Sequence, residues 1–98
     1  MNIQAMMKQA QKLQKDMMSA KEEIDNKVFI GKSSMVTVEI MGNKLVKKVK
    51  IEAENLESDD LEILEDMVLV AINDAMRQID KETEEKMGKY TQGMPGLF

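Results

Sequence analysis

The sequence predicts an α+β subunit in which a three-stranded antiparallel sheet lies between two long helices, in the order α-β-β-β-α. Apolar residues recur every three or four positions towards both ends of the chain, which is the spacing of amphipathic helices. Between these segments they alternate with polar residues on either side of Gly42-Asn43, as in strands with one buried face. Because 98 residues build only one small core, we expect a single domain over residues 1–90 and a flexible tail over residues 91–98.

The first helix is predicted to run from Ile3 to Ile24. Its apolar positions form a coiled-coil-like seam, and neither proline nor glycine interrupts it. The other side carries lysines that stack on one face, interleaved with glutamines: Lys8, Lys12 and Lys15, with Gln4, Gln9, Gln11 and Gln14. Asp16 is the only acid before Lys21, so this helix is locally basic in a chain of net charge −4. Such a face either contacts phosphates or is simply solvated.

Gly42-Asn43 is predicted to be the two-residue loop of a β-hairpin, because glycine at the first position suits a type II′ turn. Counting outward from this loop places Val38 opposite Lys47. A short strand over residues 27–31 completes the sheet. The lysines of the third strand are expected to be solubilising edge charges, and RNA recognition by this sheet is excluded because it lacks stacking aromatic side chains.

The second helix follows an acidic segment, residues 52–66, which holds eight acids and no base. We attribute these acids to helix capping and solvation, with Asp59 as the N-cap and Glu62 completing a capping box. The helix itself is the most apolar in the chain as far as Ile79. Asn73 lies in its densest apolar run, where the side chain either fixes the register between helices or faces water.

The apolar stripes of both helices are longer than the sheet that could cover them. A helix of about 22 residues spans ~33 Å, whereas strands of about six residues span only ~20 Å. Part of each stripe must therefore be buried elsewhere, and a symmetric homodimer is the simplest solution. The expected dimer interface consists of Val36, Val38, Ile40, Val68, Ile72 and Met76.

The composition argues against catalysis and against a membrane protein. There is no histidine and no cysteine, which removes the commonest general base and the thiolate nucleophile. The chain has no apolar run of signal-peptide type and no stretch of about 18 apolar residues that could span a bilayer. We expect a cytoplasmic protein that is not an enzyme and that uses no cofactor, metal, small-molecule substrate or membrane.

Four segments together resemble the YbaB/EbfC family of bacterial nucleoid-associated proteins: MMKQAQKLQKDM, VTVEIMGNKLVKKVKI, LEDMVLVAINDA and KMGKYTQGMPGLF. The resemblance covers nearly the whole chain. It implies a tweezer-like homodimer that binds double-stranded DNA with broad or loose sequence selectivity, organises the nucleoid and influences gene expression. The family's contacts belong to helix surfaces, which here correspond to Lys8, Gln11, Lys12 and Lys15 and, near the end of the second helix, to Lys86 and Lys89.

Two alternatives remain open, one for the lysines of the second helix and one for the function of the protein. Lys81, Lys86 and Lys89 are surrounded by glutamates, for which ion pairing within the helix is the plain explanation. The competing function is a methionine-rich interaction module that recruits a DNA replication or recombination partner through the GMPGLF tail without touching DNA. The net charge of −4 agrees better with that second function.

Overall fold

The computed structural model describes residues 2–91 and has the predicted order of elements. Helix α1 spans Ile3–Asn26, and three six-residue strands follow: β1 (Val28–Ser33), β2 (Val36–Met41) and β3 (Val46–Ile51). One turn of 3₁₀ helix, Ser58–Asp60, leads into α2, Leu61–Thr91. The strands form one antiparallel sheet in the order β1-β2-β3. The α-β-β-β-α prediction is therefore confirmed.

The core lies between α2 and one face of the sheet, called the inner face here. The inner-facing residues of the central strand, Val36, Val38 and Ile40, are completely buried. Helix α2 packs on β1 and β2, whereas none of its Cα atoms lies within 8 Å of a Cα atom of β3. As a result every residue of β3 is exposed, including the apolar ones.

Gly31 allows α2 to pack closely on the sheet. A Cβ atom at this position would lie 2.0 Å from the carbonyl oxygen of Ala71 and 2.8 Å from the amide nitrogen of Ala75. Both alanines are fully buried. Small residues therefore face each other on β1 and α2. The helix backbone approaches the strand more closely than any larger side chain would allow.

The hairpin between β2 and β3 differs from the prediction in its turn and in its register. The Lys44 N–H donates to the Met41 carbonyl at 2.7 Å, and the Met41 N–H donates to the Leu45 carbonyl at 2.9 Å. Lys44 has a φ of 72°, so the loop has three residues and ends on a left-handed position. Val38 consequently pairs with Val49 and not with Lys47, and a bulge interrupts the register between Glu39 and Ile40. The two-residue type II′ turn was wrong because the sequence rule does not foresee a lysine in the left-handed conformation.

The hairpin turn also holds the end of α1. The Gly42 N–H donates to the Lys27 carbonyl at 2.9 Å, and the Asn43 N–H donates to the Asp25 carbonyl at 3.3 Å. A Cβ at Gly42 would lie 1.8 Å from the Ile24 carbonyl oxygen, so only glycine permits this approach. These contacts satisfy carbonyl groups at the C-terminal end of the helix and fix the direction in which α1 leaves the sheet.

The start of α2 is capped two residues earlier than predicted. The Asp60 side chain accepts a hydrogen bond from the Glu57 N–H at 3.0 Å, and the Asp60 N–H donates to the Glu57 carbonyl at 3.0 Å. Glu57 and Asp60 thus replace Asp59 and Glu62 as the capping pair, because a 3₁₀ turn precedes the α-helix. At the other end, Thr91 is still helical, and the rest of the predicted tail, residues 92–98, lies outside the described residues.

Candidate nucleic-acid interface

Helix α1 and the end of α2 leave the sheet together and form an arm, defined here as residues 3–16 and 83–91. Ile24, near the end of α1, shares the core with Met87 of α2, and Met17 and Ala20 pack against this cluster. Before Met17 every described residue of α1 is exposed. The Asn2 side chain caps this free end by accepting hydrogen bonds from two backbone N–H groups, at 3.1 and 3.3 Å.

The six residues predicted to contact DNA all lie on this arm and are all exposed: Lys8, Gln11, Lys12 and Lys15 on α1, and Lys86 and Lys89 on α2. Lys8, Lys12 and Lys15 have no ion-pair partner within 4.0 Å among residues 2–91. Lys86 lies 3.8 Å from Glu82, and the Lys89 ammonium lies 5.0 Å from the centre of the Tyr90 ring. The α1 face is thus the part of the arm whose positive charge is not compensated locally.

The predicted dimer residues divide into two groups. Val36, Val38 and Ile40 are completely covered by the subunit's own α2 and expose no side-chain surface to a second subunit. For these three the expectation of a dimer contact is wrong, because the central strand uses its inner face for the intramolecular core. The other three remain partly exposed along α2: Val68, Ile72 and Met76.

An uncovered apolar face lies beside that flank of α2. The residues of β3 that pair with the buried residues of β2 share their side of the sheet. These β3 residues are nonetheless exposed: Val46 to 45%, Val49 to 44% and Ile51 to 41%. Together with Val68, Ile72 and Met76 they are called the open apolar face below.

The other flank of α2 closes the outer edge of β1 with polar side chains at four-residue spacing: Asp74, Gln78 and Glu82. Asp74 accepts a hydrogen bond from the Lys32 N–H at 3.0 Å, and the Gln78 side chain donates to the Ile30 carbonyl at 2.8 Å. Glu82 forms an ion pair of 2.6 Å with Lys27. Sequence analysis missed this row, although three polar residues in one stripe of an apolar helix could have indicated it. Asn73, in contrast, is exposed in the described subunit.

The Asp74 carboxylate is stabilised in its ionised form. The hydrogen bond from the Lys32 backbone, followed by one from the Gln78 side chain and the charge of Arg77, lowers the pKa of Asp74 below its ordinary value of 3.8. The Arg77 guanidinium lies 3.9 Å from this carboxylate, as the spacing of the two residues on the helix predicts. An unpaired strand edge is a site of unwanted association, and these contacts protect it.

Charge is distributed very unevenly over the molecule. Residues 27–51, which form the sheet, contain six lysines and one glutamate, a net charge of +5 in a chain of net charge −4. Residues 52–66 contribute −8. Residues 77–91 hold four basic and four acidic residues and are neutral overall. Positive charge is therefore concentrated on the sheet and on the first half of α1, residues 3–15, and it is not concentrated at the end of α2.

The described residues show neither a metal-binding cluster nor a membrane span. Within residues 2–91 no group of three or more acidic residues is arranged to hold a metal ion. In the same range neither helix combines the length and the apolar character needed to cross a bilayer.

The fold and the exposed basic surfaces define a small α+β protein that presents helical arms from a sheet platform. Comparison with known proteins identifies the family. Residues 1–94 match the YbaB/EbfC DNA-binding family, and the chain belongs to that family. The resemblance inferred from the four sequence segments is thereby confirmed.

Relatives of similar length support this assignment. A nucleoid-associated protein of Lactococcus lactis subsp. cremoris is 52% identical over 97 residues, covering 97% of this chain and 98% of the relative. A nucleoid-associated protein of Enterococcus faecalis is 44% identical over 98 residues, covering 98% and 94%. The crystal structure of an uncharacterized Helicobacter pylori protein has the same fold, with a TM-score of 0.73, 17% identity, and coverage of 92% of this chain and 97% of that one.

Proposed function

We propose that this protein binds double-stranded DNA as a homodimer, with broad or loose sequence selectivity, and so helps to organise the bacterial nucleoid and influences gene expression. Membership of a DNA-binding family and relatives named nucleoid-associated support this proposal. The observation that carries it at the level of residues is the row of unpaired lysines on the exposed half of α1.

The α1 row has the properties of a phosphate-binding surface. Lys8, Lys12 and Lys15 stand on one face of a helix that projects into solvent, and glutamine side chains between them can donate to phosphate or sugar. Contacts of this kind position a protein on the duplex without reading bases, so they give little sequence selectivity. Lys86 and Lys89 lie on the same arm and are proposed to add weaker contacts, because nearby glutamates offset their charge.

The dimer is proposed to form through the open apolar face. This surface consists of apolar side chains on β3 and on the adjacent flank of α2, and the subunit itself covers it only in part. Exposed apolar surfaces of this kind are typical of protein interfaces. The opposite edge of the sheet is closed by Asp74 and Gln78, so that edge is not available to a second subunit.

The DNA proposal is tested by titrating labelled duplexes of unrelated sequence at several salt concentrations. Each phosphate contact contributes about 0.9 to the slope of log K against log salt, which corresponds to a factor of about eight at 0.1 M salt. The variant Lys8→Gln/Lys12→Gln/Lys15→Gln should therefore reduce the slope by up to about 2.7. Lys8→Arg/Lys12→Arg/Lys15→Arg is the matched control and should bind like the wild type.

The outcomes separate the two parts of this proposal. A wild-type protein that does not bind any duplex at low salt would contradict DNA binding itself. That result would favour the recruitment of a replication or recombination partner, for which the residues after Gly88 should be deleted and partner capture measured. A glutamine variant with unchanged affinity and slope would contradict only the assignment of the α1 row.

The dimer is tested with two substitutions on opposite faces of the sheet. Val49 and Ile30 are similarly exposed, at 44% and 49%, but only Val49 lies on the open apolar face. Val49→Lys should shift the sedimentation mass from twice 11.2 kDa to the single-chain value, whereas Ile30→Lys should not. A wild-type mass near 11.2 kDa at micromolar concentration would refute the dimer.

A further inference from the structure

We propose that the solvent-facing side of the sheet is a second binding surface for the phosphate backbone of duplex DNA, formed by five lysines: Lys32, Lys44, Lys47, Lys48 and Lys50. This inference rests on the proposed DNA binding and adds a site that is distinct from the arm. Its starting point is the net charge of +5 over residues 27–51, the largest positive excess in the chain.

The strand register brings several of these lysines to one surface. Lys32, Thr37 and Lys50 are paired in one row across the three strands, on the side of the sheet away from α2. Glu39 pairs with Lys48 in the next row. Strands lie about 4.8 Å apart, and residues two apart along a strand are about 7 Å apart. The backbone positions of Lys48 and Lys50 are therefore about 7 Å apart, and those of Lys32 and Lys50 about 10 Å apart.

The remaining two lysines lie at the hairpin end of β3, where the register does not assign them to either face. Lys47 is the extra residue where the register shifts between β2 and β3, and Lys44 ends the turn. Both are exposed. Only Lys50 of the five has an ion pair within 4.0 Å among residues 2–91, to Glu52 at 3.1 Å.

Protection of a strand edge does not account for so many lysines. Charged side chains such as lysine discourage pairing at a strand edge, but Lys48 and Lys50 stand on a face of the sheet. Like charges that lie within a Debye length of about 8 Å repel one another and destabilise the subunit. A bound polyanion removes this repulsion, which gives the cluster a function that edge protection lacks.

The composition of the surface selects the backbone of DNA as its ligand. The two aromatic residues among residues 2–91 lie elsewhere: Phe29 is buried on the inner face and Tyr90 is on α2. Without aromatic side chains the surface cannot stack on exposed bases, so it contacts phosphates of an intact duplex. This agrees with loose sequence selectivity.

Two neighbouring features determine how a duplex lies there. The acidic segment, residues 52–66, follows β3 directly and repels phosphates, so the duplex is placed towards the hairpin. The open apolar face lies on the other side of the same strand. DNA binding to the lysines and association of two subunits therefore do not compete.

The test compares Lys47→Gln/Lys48→Gln/Lys50→Gln with the corresponding α1 triple variant, which removes the same number of charges. We expect the sheet variant to lower the salt slope by up to about 2.7 and to weaken binding by more than tenfold at 0.1 M salt. Combining both triples should add their effects on log K. The Lys47→Arg/Lys48→Arg/Lys50→Arg variant should restore affinity. Because all three side chains are exposed, neither triple variant should unfold at a lower temperature than the wild type.

Protection of lysines in the wild type provides a measurement that does not depend on any variant. Duplex DNA should reduce acetylation of Lys47 and Lys48 several-fold, with Lys21, which is paired with Asp25, as the internal reference. Unchanged acetylation, or a sheet variant that binds like the wild type while the α1 variant is weakened, would overturn this inference and leave the proposed function intact. Absence of any DNA binding by the wild type would instead refute the proposed function.

Discussion

Replacing Gly31 with alanine tests whether close contact between α2 and the sheet holds the subunit together. The new Cβ would lie 2.0 Å from the Ala71 carbonyl oxygen, and ordinary contact requires about 3.4 Å. The helix must therefore move by about 1.4 Å. That movement would lengthen the 2.8 Å hydrogen bond from Gln78 to the Ile30 carbonyl beyond hydrogen-bonding distance and would also break the contact of Asp74 with β1.

The expected loss follows from these two effects. Overpacking costs about 1–3 kcal/mol, and losing the neutral hydrogen bond from Gln78 costs about 1 kcal/mol, so the free energy of unfolding should fall by at least about 2–4 kcal/mol even before the Asp74 contact is counted. For a domain of this size each kcal/mol lowers Tm by about 4–8 °C. Thermal unfolding followed by circular dichroism at fixed protein concentration would measure the change.

Gly88→Ala is the matched control, because among residues 2–91 no atom outside the adjoining turns of the same helix lies within 4 Å of a Cβ at that position. Alanine is the better helix former, so this variant should be more stable than the wild type by up to about 1 kcal/mol. If Gly31→Ala unfolded within a few degrees of the wild type, the close approach of α2 would not be a constraint and the reasoning would fail.

Two further predictions concern single residues. Because the pKa of Asp74 is lowered in the folded state, its stabilising effect is present above 3.8 and is lost as the pH falls through the lowered value. Asp74→Asn should therefore destabilise the protein at pH 7 and much less at pH 3, measured by urea unfolding; an equal difference at both pH values would contradict this. Lys44→Asn should raise Tm, because asparagine tolerates the φ of 72° with less strain, and a gain of about 1 kcal/mol is expected. A lower Tm for this variant would show that the turn is not strained.

The fold could be predicted because its signals are local. Three-and-four spacing identified both helices, and alternation identified the central strand, whose inner residues are indeed buried. The turn was the exception. Its sequence permits either a two-residue or a three-residue loop. The choice depends on whether Lys44 adopts a left-handed conformation. In the structure it does, and the same turn is hydrogen-bonded to the end of α1.

The distribution of surfaces could be predicted only in part. The exposed lysine row on α1 follows from helical periodicity and is present as expected. Which strand α2 leaves uncovered is a question of tertiary packing, decided by the fit of Gly31 against Ala71 and Ala75. Sequence analysis therefore assigned Val36, Val38 and Ile40 to an interface between subunits, although they form the interior of one.

The same packing explains how an acidic chain can belong to a DNA-binding family. Net charge governs attraction at long range, but at physiological salt a phosphate interacts mainly with charges within about 8 Å. Residues 52–66 collect eight acids around the start of α2, while residues 27–51 keep a net charge of +5. A duplex that lies on the sheet or on α1 is therefore close to a basic surface, whatever the total charge. The sum of −4 describes how the molecule approaches DNA, and the sorting of charge by the fold decides which surface it presents on contact.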